Sequence, residues 1–340
     1  MESIITPSLR AGRSVISYSF DVLIAVAALT VFSAVQYGPR PVFVVLIAIA
    51  AAVASEVLAC LLFGKRITLG DGTAFVTGGL IGLLMSPIVP IYVPIVASAF
   101  AILIAKMPFG GSGRNLFNPA AAGVALATVC FERSMAAYPN PSQNLRLVWD
   151  TSDVFYQNSV AATLKSGGTS FETFTDLLFG STPGAIGSTA IIVLIACLLF
   201  LRFRRTVSLA GFVSYMITCT ILALLFPRAE STYWHNVMLE LCSGTLLFTG
   251  VFFLNDPTTT PHHRSGRIVF GTLLGLAVMA LRHFGRYADG GCFAVLMMGP
   301  LSSIIDRWTW QLHRFVEVRW RRHAYAYRFA QRMEADFHLL

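Results

Sequence analysis

Asp71-Gly72-Thr73-Ala74-Phe75-Val76-Thr77-Gly78 opens a stretch that passes through two apolar spans and closes at Phe109-Gly110-Gly111-Ser112-Gly113-Arg114-Asn115-Leu116-Phe117-Asn118-Pro119. Its opening pattern returns as Gly244-Thr245-Leu246-Leu247-Phe248-Thr249-Gly250, so both copies read G-T-x-x-x-T-G at an offset of 172, about half of the 340 residues. A Phe-Gly pair follows each copy, at Phe109-Gly110 and Phe284-Gly285. Two matches in the same order at nearly one offset predict a duplicated membrane unit. Paired repeats with interrupted helices meeting in mid-bilayer are a common way to build transport folds.

The chain around these motifs is 55% hydrophobic and 12% charged, with a mean hydropathy of +0.68, whereas an ordinary soluble domain carries about 25% charged residues. That composition predicts an all-α integral membrane protein, since a helix satisfies its own backbone in lipid. With about 20 residues needed to cross the hydrocarbon core, ten spans can be placed. They fall roughly at 16–37, 41–63, 73–88, 90–106 and 118–132, then at 186–202, 206–226, 236–254, 268–283 and 290–306. The chain thus divides into a lead (1–15), a five-helix repeat (16–132), a polar loop (133–185), a second five-helix repeat (186–306) and a basic tail (307–340).

Ten spans put both termini on one side of the membrane. Of the 25 Lys and Arg residues, 18 then fall on the terminal side and 7 on the other. By the positive-inside rule the termini are cytoplasmic and the long loop faces outward. Five spans per half is an odd number, so the halves are expected to be inverted relative to one another. The net charge of +8 is read as membrane orientation, with no nucleic acid as partner. The tail, bearing Trp308, Trp310 and Trp320, is expected along the inner leaflet. Six cysteines, at 60, 130, 197, 219, 242 and 292, form no C-x-x-C pair. No metal or iron–sulfur site is expected on this chain alone.

At Phe109–Pro119 the sequence resembles the glycine-asparagine signature of the NqrB/RnfD family. That family comprises the D-type membrane subunits of Rnf-type electron-transport complexes and the related B-type subunits of the sodium-translocating NADH:quinone reductase. Asp71-Gly72-Thr73 with Thr77-Gly78, Pro183-Gly184-Ala185-Ile186-Gly187, Asp256-Pro257 through Gly266-Arg267, Gly285, Tyr287, Asp289-Gly290 and Ile305-Asp306 extend the resemblance over about residues 15–306. It implies a ten-helix, multi-pass subunit in a prokaryotic inner membrane. Its partners would include iron–sulfur and flavin subunits, and electron flow would be coupled to Na+ or H+ translocation. The resemblance also implies an FMN joined by phosphoester to the outward loop. The family's acceptor motif, Ser/Thr-Gly-Ala-Thr, precedes a Leu-Lys-x-Gly run. Counting back from Leu164-Lys165-Ser166-Gly167 places the acceptor at Ser159, within Tyr156-Gln157-Asn158-Ser159, which differs from that motif at every position. Thr169, closing Ser166-Gly167-Gly168-Thr169, is a second candidate, and Ser188 stands where the family usually has glutamate.

The residues themselves leave two readings at most positions. Gly110, Gly111 and Gly113 either admit close backbone approach to a second, non-covalent flavin such as riboflavin, or form a tight turn between helices. Asn115 and Asn118 either meet an isoalloxazine edge or, for Asn118 before Pro119, cap a helix. Thr73, Thr77, Thr245 and Thr249 lie one turn apart in pairs. They either line a polar path or cofactor pocket across a pseudo-twofold, or bond their own helices. Glu56, inside a span, is an ion- or proton-pathway residue or a partnered interface acid. Asp21 and Glu240 fall near span ends, within reach of water, and the adjacent His262 and His263 lack metal-ligand spacing. No complete catalytic site is expected on one chain. The alternative from another class is a small-solute transporter or channel of related inverted-repeat fold, or a family member that has lost its covalent flavin.

Overall fold

The computed structural model describes residues 15–64, 69–111, 113, 115–141, 143, 145, 155–168, 170, 172–228 and 233–311. Helices dominate. α1 (Val15–Tyr37) and α2 (Arg40–Leu62) form an antiparallel pair joined by a turn at Gly38-Pro39. α3 (Thr73–Leu83) is followed by α4 (Tyr92–Phe100), which runs into a π-helical turn at Ala101–Lys106, and by α5 (Pro119–Cys130). The polar loop holds α6 (Glu132–Ala136), α7 (Val160–Lys165) and α8 (Phe174–Phe179). It also holds a departure from an all-helical fold: β1 (Tyr138–Pro139) pairs antiparallel with β2 (Tyr156–Gln157). Then come α9 (Ile191–Phe203), α10 (Leu209–Leu225) and α11 (Tyr233–Cys242). α12 (Leu246–Phe248) continues as a π-helical turn at Thr249–Phe253. α13 (Arg264–Phe284) and α14 (Gly291–Met298) complete the bundle, with 302–311 again helical.

Three of these helices, α1, α2 and α13, are long and apolar enough to cross a membrane by themselves. A fourth such unit is α11 with α12 and its π turn, bent by 58° at the break between them. α3, α4, α5, α9 and α10 are shorter apolar helices. Helix therefore occupies each of the ten apolar stretches, but many are trimmed. α3 is an example: Gly72, at φ 73°, starts it, and it stops three residues short of Ser86-Pro87. Its glycines bring backbones together, since a methyl on Gly78 would sit 2.6 Å from the Cα of Ile49 on α2. Small residues are how helices approach closely in lipid, where the hydrophobic effect offers no drive.

The two G-T-x-x-x-T-G copies start at opposite ends of the bundle. Thr73 lies at the end where the second copy finishes in Leu254-Asn255-Asp256, while Gly244 lies at the far end beside Ser159 and Asp289. Both copies open on a left-handed glycine, Gly72 at φ 73° and Gly244 at φ 60°, and both have a carboxylate on the threonine amide. Asp71 Oδ1 accepts from Thr73 N at 2.9 Å, and Asp289 Oδ1 accepts from Thr245 N at 3.1 Å.

Asp21 and Glu240 correct the sequence reading, because both are fully buried. The sequence places them near span ends, but neighbouring turns cover those ends and reach in with arginines. Arg204 Nε and Thr206 Oγ1, from the α9–α10 turn, donate to Asp21 at 2.9 and 2.7 Å. Arg228 and Arg282 both donate to the Glu240 carboxylate.

Candidate functional site

Where the N-terminal ends of α1, α3, α5 and α10 converge, they enclose a cavity of about 490 Å3. Four helix starts give the space a positive bias, since each carries about half a unit of partial charge. Of the residues singled out in the sequence, Thr73, Thr77, Gly113, Asn115 and Asn118 line it together. Thr77 Oγ1 donates to Thr73 O at 2.9 Å. Asn118 serves two ends at once. Its Oδ1 caps α5 by accepting from Ala121 N at 3.0 Å, and its Nδ2 donates to Asp256 Oδ2 at 2.8 Å. Gly110 and Gly111 do not reach the wall. At φ 111° and 87° they form the turn that closes the π segment, with Gly111 N donating to Lys106 O at 3.2 Å.

Two residues of this wall each hold a polar atom that is left over behind it. Asn115 Oδ1 and Ser19 Oγ are buried without a hydrogen-bond partner among the described residues. A buried polar atom left unpaired costs about 1–3 kcal/mol, which a side-chain rotation toward the cavity would relieve if a ligand or water met it there. Asp256, just beyond the second π turn, is bound by Asn118, Thr258 and Thr259. Burial pushes its carboxyl above the ordinary aspartate value, against the pull of those donors. Asn255 fills a different need, donating to the Gly250 and Val251 carbonyls in the π turn at 3.0 and 3.2 Å.

Lys106 was missed as a site residue. The sequence presents it as a loop charge after the apolar run Val93–Ala105. In the structure it is 1% exposed, and the π turn carries it onto the face toward α2 and α3. Its Nζ donates to Glu56 Oε2 at 2.7 Å and to Thr73 Oγ1 at 2.7 Å. The signal available was that single cation ending an uninterrupted apolar stretch. Arg205, held at φ 55°, and Arg267 also border the cavity.

Thr245 and Thr249 are not on this wall. They face the start of α14, where a methyl on Gly291 would lie 2.4 Å from Thr249 Oγ1 and 2.9 Å from Thr245 Oγ1. The paired threonines are therefore separated: one pair lines a cavity, the other is packed shut. Ser159 lies at the opposite end of the bundle, in a cleft of about 10 Å3 shared with Tyr138, Cys242, Gly244 and Asp289. It is 5% exposed, and its Oγ caps α7 by accepting from Ala162 N at 3.2 Å. Thr169 lies outside the described residues. His262 and His263 are exposed, their amides donating to the Asp306 carboxylate.

Fold and site together define a helical membrane protein with a polar, positively biased cavity at one end and a tightly closed charged cluster at the other. The chain belongs to the NQR2, RnfD, RnfE family, which it matches over residues 4–313. It is 27% identical to the D-type subunit of the proton-translocating ferredoxin:NAD(+) oxidoreductase complex of Clostridium ljungdahlii, over 89% of this chain and 93% of that protein. It is 28% identical to the D-type subunit of the Na(+)-translocating ferredoxin:NAD(+) oxidoreductase complex of Acetobacterium woodii, over 89% and 92%. With the corresponding subunit of the ion-translocating oxidoreductase complex of Shewanella amazonensis the identity is 32%, over 77% and 83%.

Proposed function

We propose that the chain is the D-type membrane subunit of an ion-translocating oxidoreductase complex, built as two inverted five-helix halves. In this reading its cavity holds a non-covalent flavin that passes electrons between partner subunits. The observation that carries it is the set of polar residues that share the wall: Ser19, Thr73, Lys106, Asn115 and Asn118, with Asn115 Oδ1 and Ser19 Oγ lacking a partner among the described residues. A flavin's pyrimidine edge alternates donors and acceptors, which such a set can read. The cavity volume lies within the range of about 300–1,000 Å3 typical of small-molecule sites. When bound, a flavin supplies the one- and two-electron chemistry, and the protein's part is to orient it and set its electrostatics. Asn115 and Ser19 would fix its edge, Asn118 would hold the floor through α5 and Asp256, and the apolar Val76, Leu80 and Phe252 would exclude water.

The covalent FMN implied for the outward loop does not fit Ser159 as it stands. The hydroxyl is buried and taken up by a helix cap, and the cleft around it has no room for a phosphate. No step is assigned to that group. The relatives' complexes differ in their ion, so H+ and Na+ stay open for this chain.

The test is flavin analysis of the purified complex. Acid extraction should release flavin at about one equivalent per copy of this chain, and Asn115→Ala should lower it several-fold without loss of the folded subunit. Extraction yielding none, or a yield indifferent to Asn115→Ala and Ser19→Ala, would end this reading. In-gel fluorescence of this chain after denaturation should be weak. A strong band removed by Ser159→Ala would restore the covalent site.

A further inference from the structure

One arginine on the cavity wall stands where the backbone favours glycine. Helix α9 ends in a paired turn: Arg205 N donates to Arg202 O at 2.9 Å, and Thr206 N donates to Leu201 O at 2.9 Å. That pattern puts the residue after the helix cap in the left-handed region, where glycine has no Cβ to clash. Here the residue is Arg205, at φ 55°, the one non-glycine residue at positive φ among the described residues. Strain of this kind gathers at ligand clamps and active sites, where the surroundings hold it in place. The turn also divides its side chains. Arg204 Nε and Thr206 Oγ1 both go to Asp21, at 2.9 and 2.7 Å, while Arg205 joins the cavity wall.

The other charged groups of that wall have protein partners. Lys106 donates to Glu56 and Thr73, and Arg267 Nε donates to Pro261 O at 2.9 Å. Asp256 is the single acid among the described residues that line it, and its oxygens accept from Asn118, Thr258 and Thr259. No hydrogen bond or ion pair engages the Arg205 guanidinium among the described residues. The wall thus sets Lys106, Arg205 and Arg267 against one acid, and the cation held at a strained position is the one without an acceptor.

We propose that Arg205 is an anion-recognition residue, and that it meets the negative charge of the cavity's occupant. This rests on the flavin reading above and gives the reduced form of that flavin its partner. Two electrons and one proton turn an oxidised flavin into a singly negative one, with the charge spread over N1 and the O2 carbonyl. The electrons come from a low-potential donor and the proton from water. A guanidinium is planar and offers paired N–H donors, which match two acceptors lying side by side in one plane. Arg205 therefore favours the reduced, anionic form over the oxidised, neutral one, and charge placed near N1 is one way a protein tunes a flavin.

The experiment uses the purified complex and the variants Arg205→Gly, Arg205→Lys and Arg264→Gln. Arg264 is an exposed cation in the first turn of α13 that does not line the cavity, so its variant makes the same change of net charge away from the wall. Dithionite titration at low salt, followed by the absorbance of the bound flavin, gives the midpoint potential. Arg205→Gly should lower it by about 30 mV, the shift for a tenfold loss of preference for the reduced form in a two-electron couple. Arg205→Lys should keep most of the wild-type value, and Arg264→Gln should leave it in place. The thermal midpoint separates site from scaffold. Arg205→Gly relieves the left-handed backbone and should hold or raise that midpoint, so its lower potential is no folding defect. A potential in Arg205→Gly no lower than in Arg264→Gln overturns the proposal and leaves the flavin reading standing. A fall in the thermal midpoint of Arg205→Gly does the same, because the side chain would then serve the fold. A complex with no extractable flavin overturns both.

Discussion

The two halves carry matching clusters that behave as opposites. In the first, Lys106 at the end of the α4 segment meets Glu56 and the threonine that opens α3. In the second, Arg282 near the end of α13 meets Glu240 and, through Asp289, the threonine that opens α12. Arg282 is 1% exposed and meets four acceptors. It donates to Glu240 O at 2.7 Å, Glu240 Oε2 at 3.3 Å, Ser243 O at 2.6 Å and Asp289 Oδ1 at 3.0 Å. Arg228 adds a second guanidinium to Glu240. Lys106 has two partners and a cavity beside it. The same scaffold thus holds a guanidinium with four acceptors at one end and an ammonium with two, beside a cavity, at the other.

The sharpest way to break this contrast is to remove each cation. Arg282→Met takes one of two guanidiniums from the buried Glu240, one donor from Asp289, and the side-chain donor from the Glu240 and Ser243 carbonyls. It should cost about 3–5 kcal/mol, the usual penalty for stripping one partner from a buried charge pair. The purified subunit's thermal midpoint should fall accordingly. Lys106→Met removes two hydrogen bonds, to Glu56 and Thr73, where Arg282→Met removes four, and should lower the midpoint less. Equal losses would mean that the two cations carry equal weight. Next in size are the glycines that open the twin motifs. Gly244→Ala must adopt a left-handed backbone, about 1–2 kcal/mol for an alanine, and its methyl would lie 2.1 Å from Asp289 Oδ1. Gly72→Ala has the same backbone cost, but its nearest contact is Ser19 Cβ at 3.0 Å. The first variant should therefore melt earlier than the second.

Asn118→Ala comes third. Losing the α5 cap should cost about 1 kcal/mol, and extracted flavin should fall with it because Asp256 loses a donor. No effect on either would remove Asn118 from the site. The smallest effect belongs to the polar loop between α5 and α9. Asp176 is held below the usual aspartate value by the hydroxyl and amide of Thr173, which form a reciprocal cap on α8. Its contribution is complete at neutral pH and fades as acid carries the solution down through that depressed value. Thr173→Ala should erase this acid-side dependence, measured as local amide exchange in α8.

Much of the helix layout was legible, because an apolar run in lipid has one solution and some of its ends are marked, as at Gly72 and Asn118-Pro119. What sequence reading missed lies where two elements meet. Thr73–Thr77 and Thr245–Thr249 have the same spacing and cannot be told apart by it. They differ because Gly291 lets α14 close onto one pair, while the capped start of α5 leaves a cavity at the other. Lys106 looked like a loop charge because a π turn, which re-aims the last residues of α4, has no sequence signature of its own. Asp21 and Glu240 looked wet because the arginines that cover them lie 183 and 42 residues away along the chain.

The cleft of about 10 Å3 at the Arg282 end is at the lower limit for housing even a single water molecule. A ligand held in the opposite cavity therefore finds no matching space among Tyr138, Ser159, Gly244 and Asp289, and the two ends of the bundle differ in what they can admit.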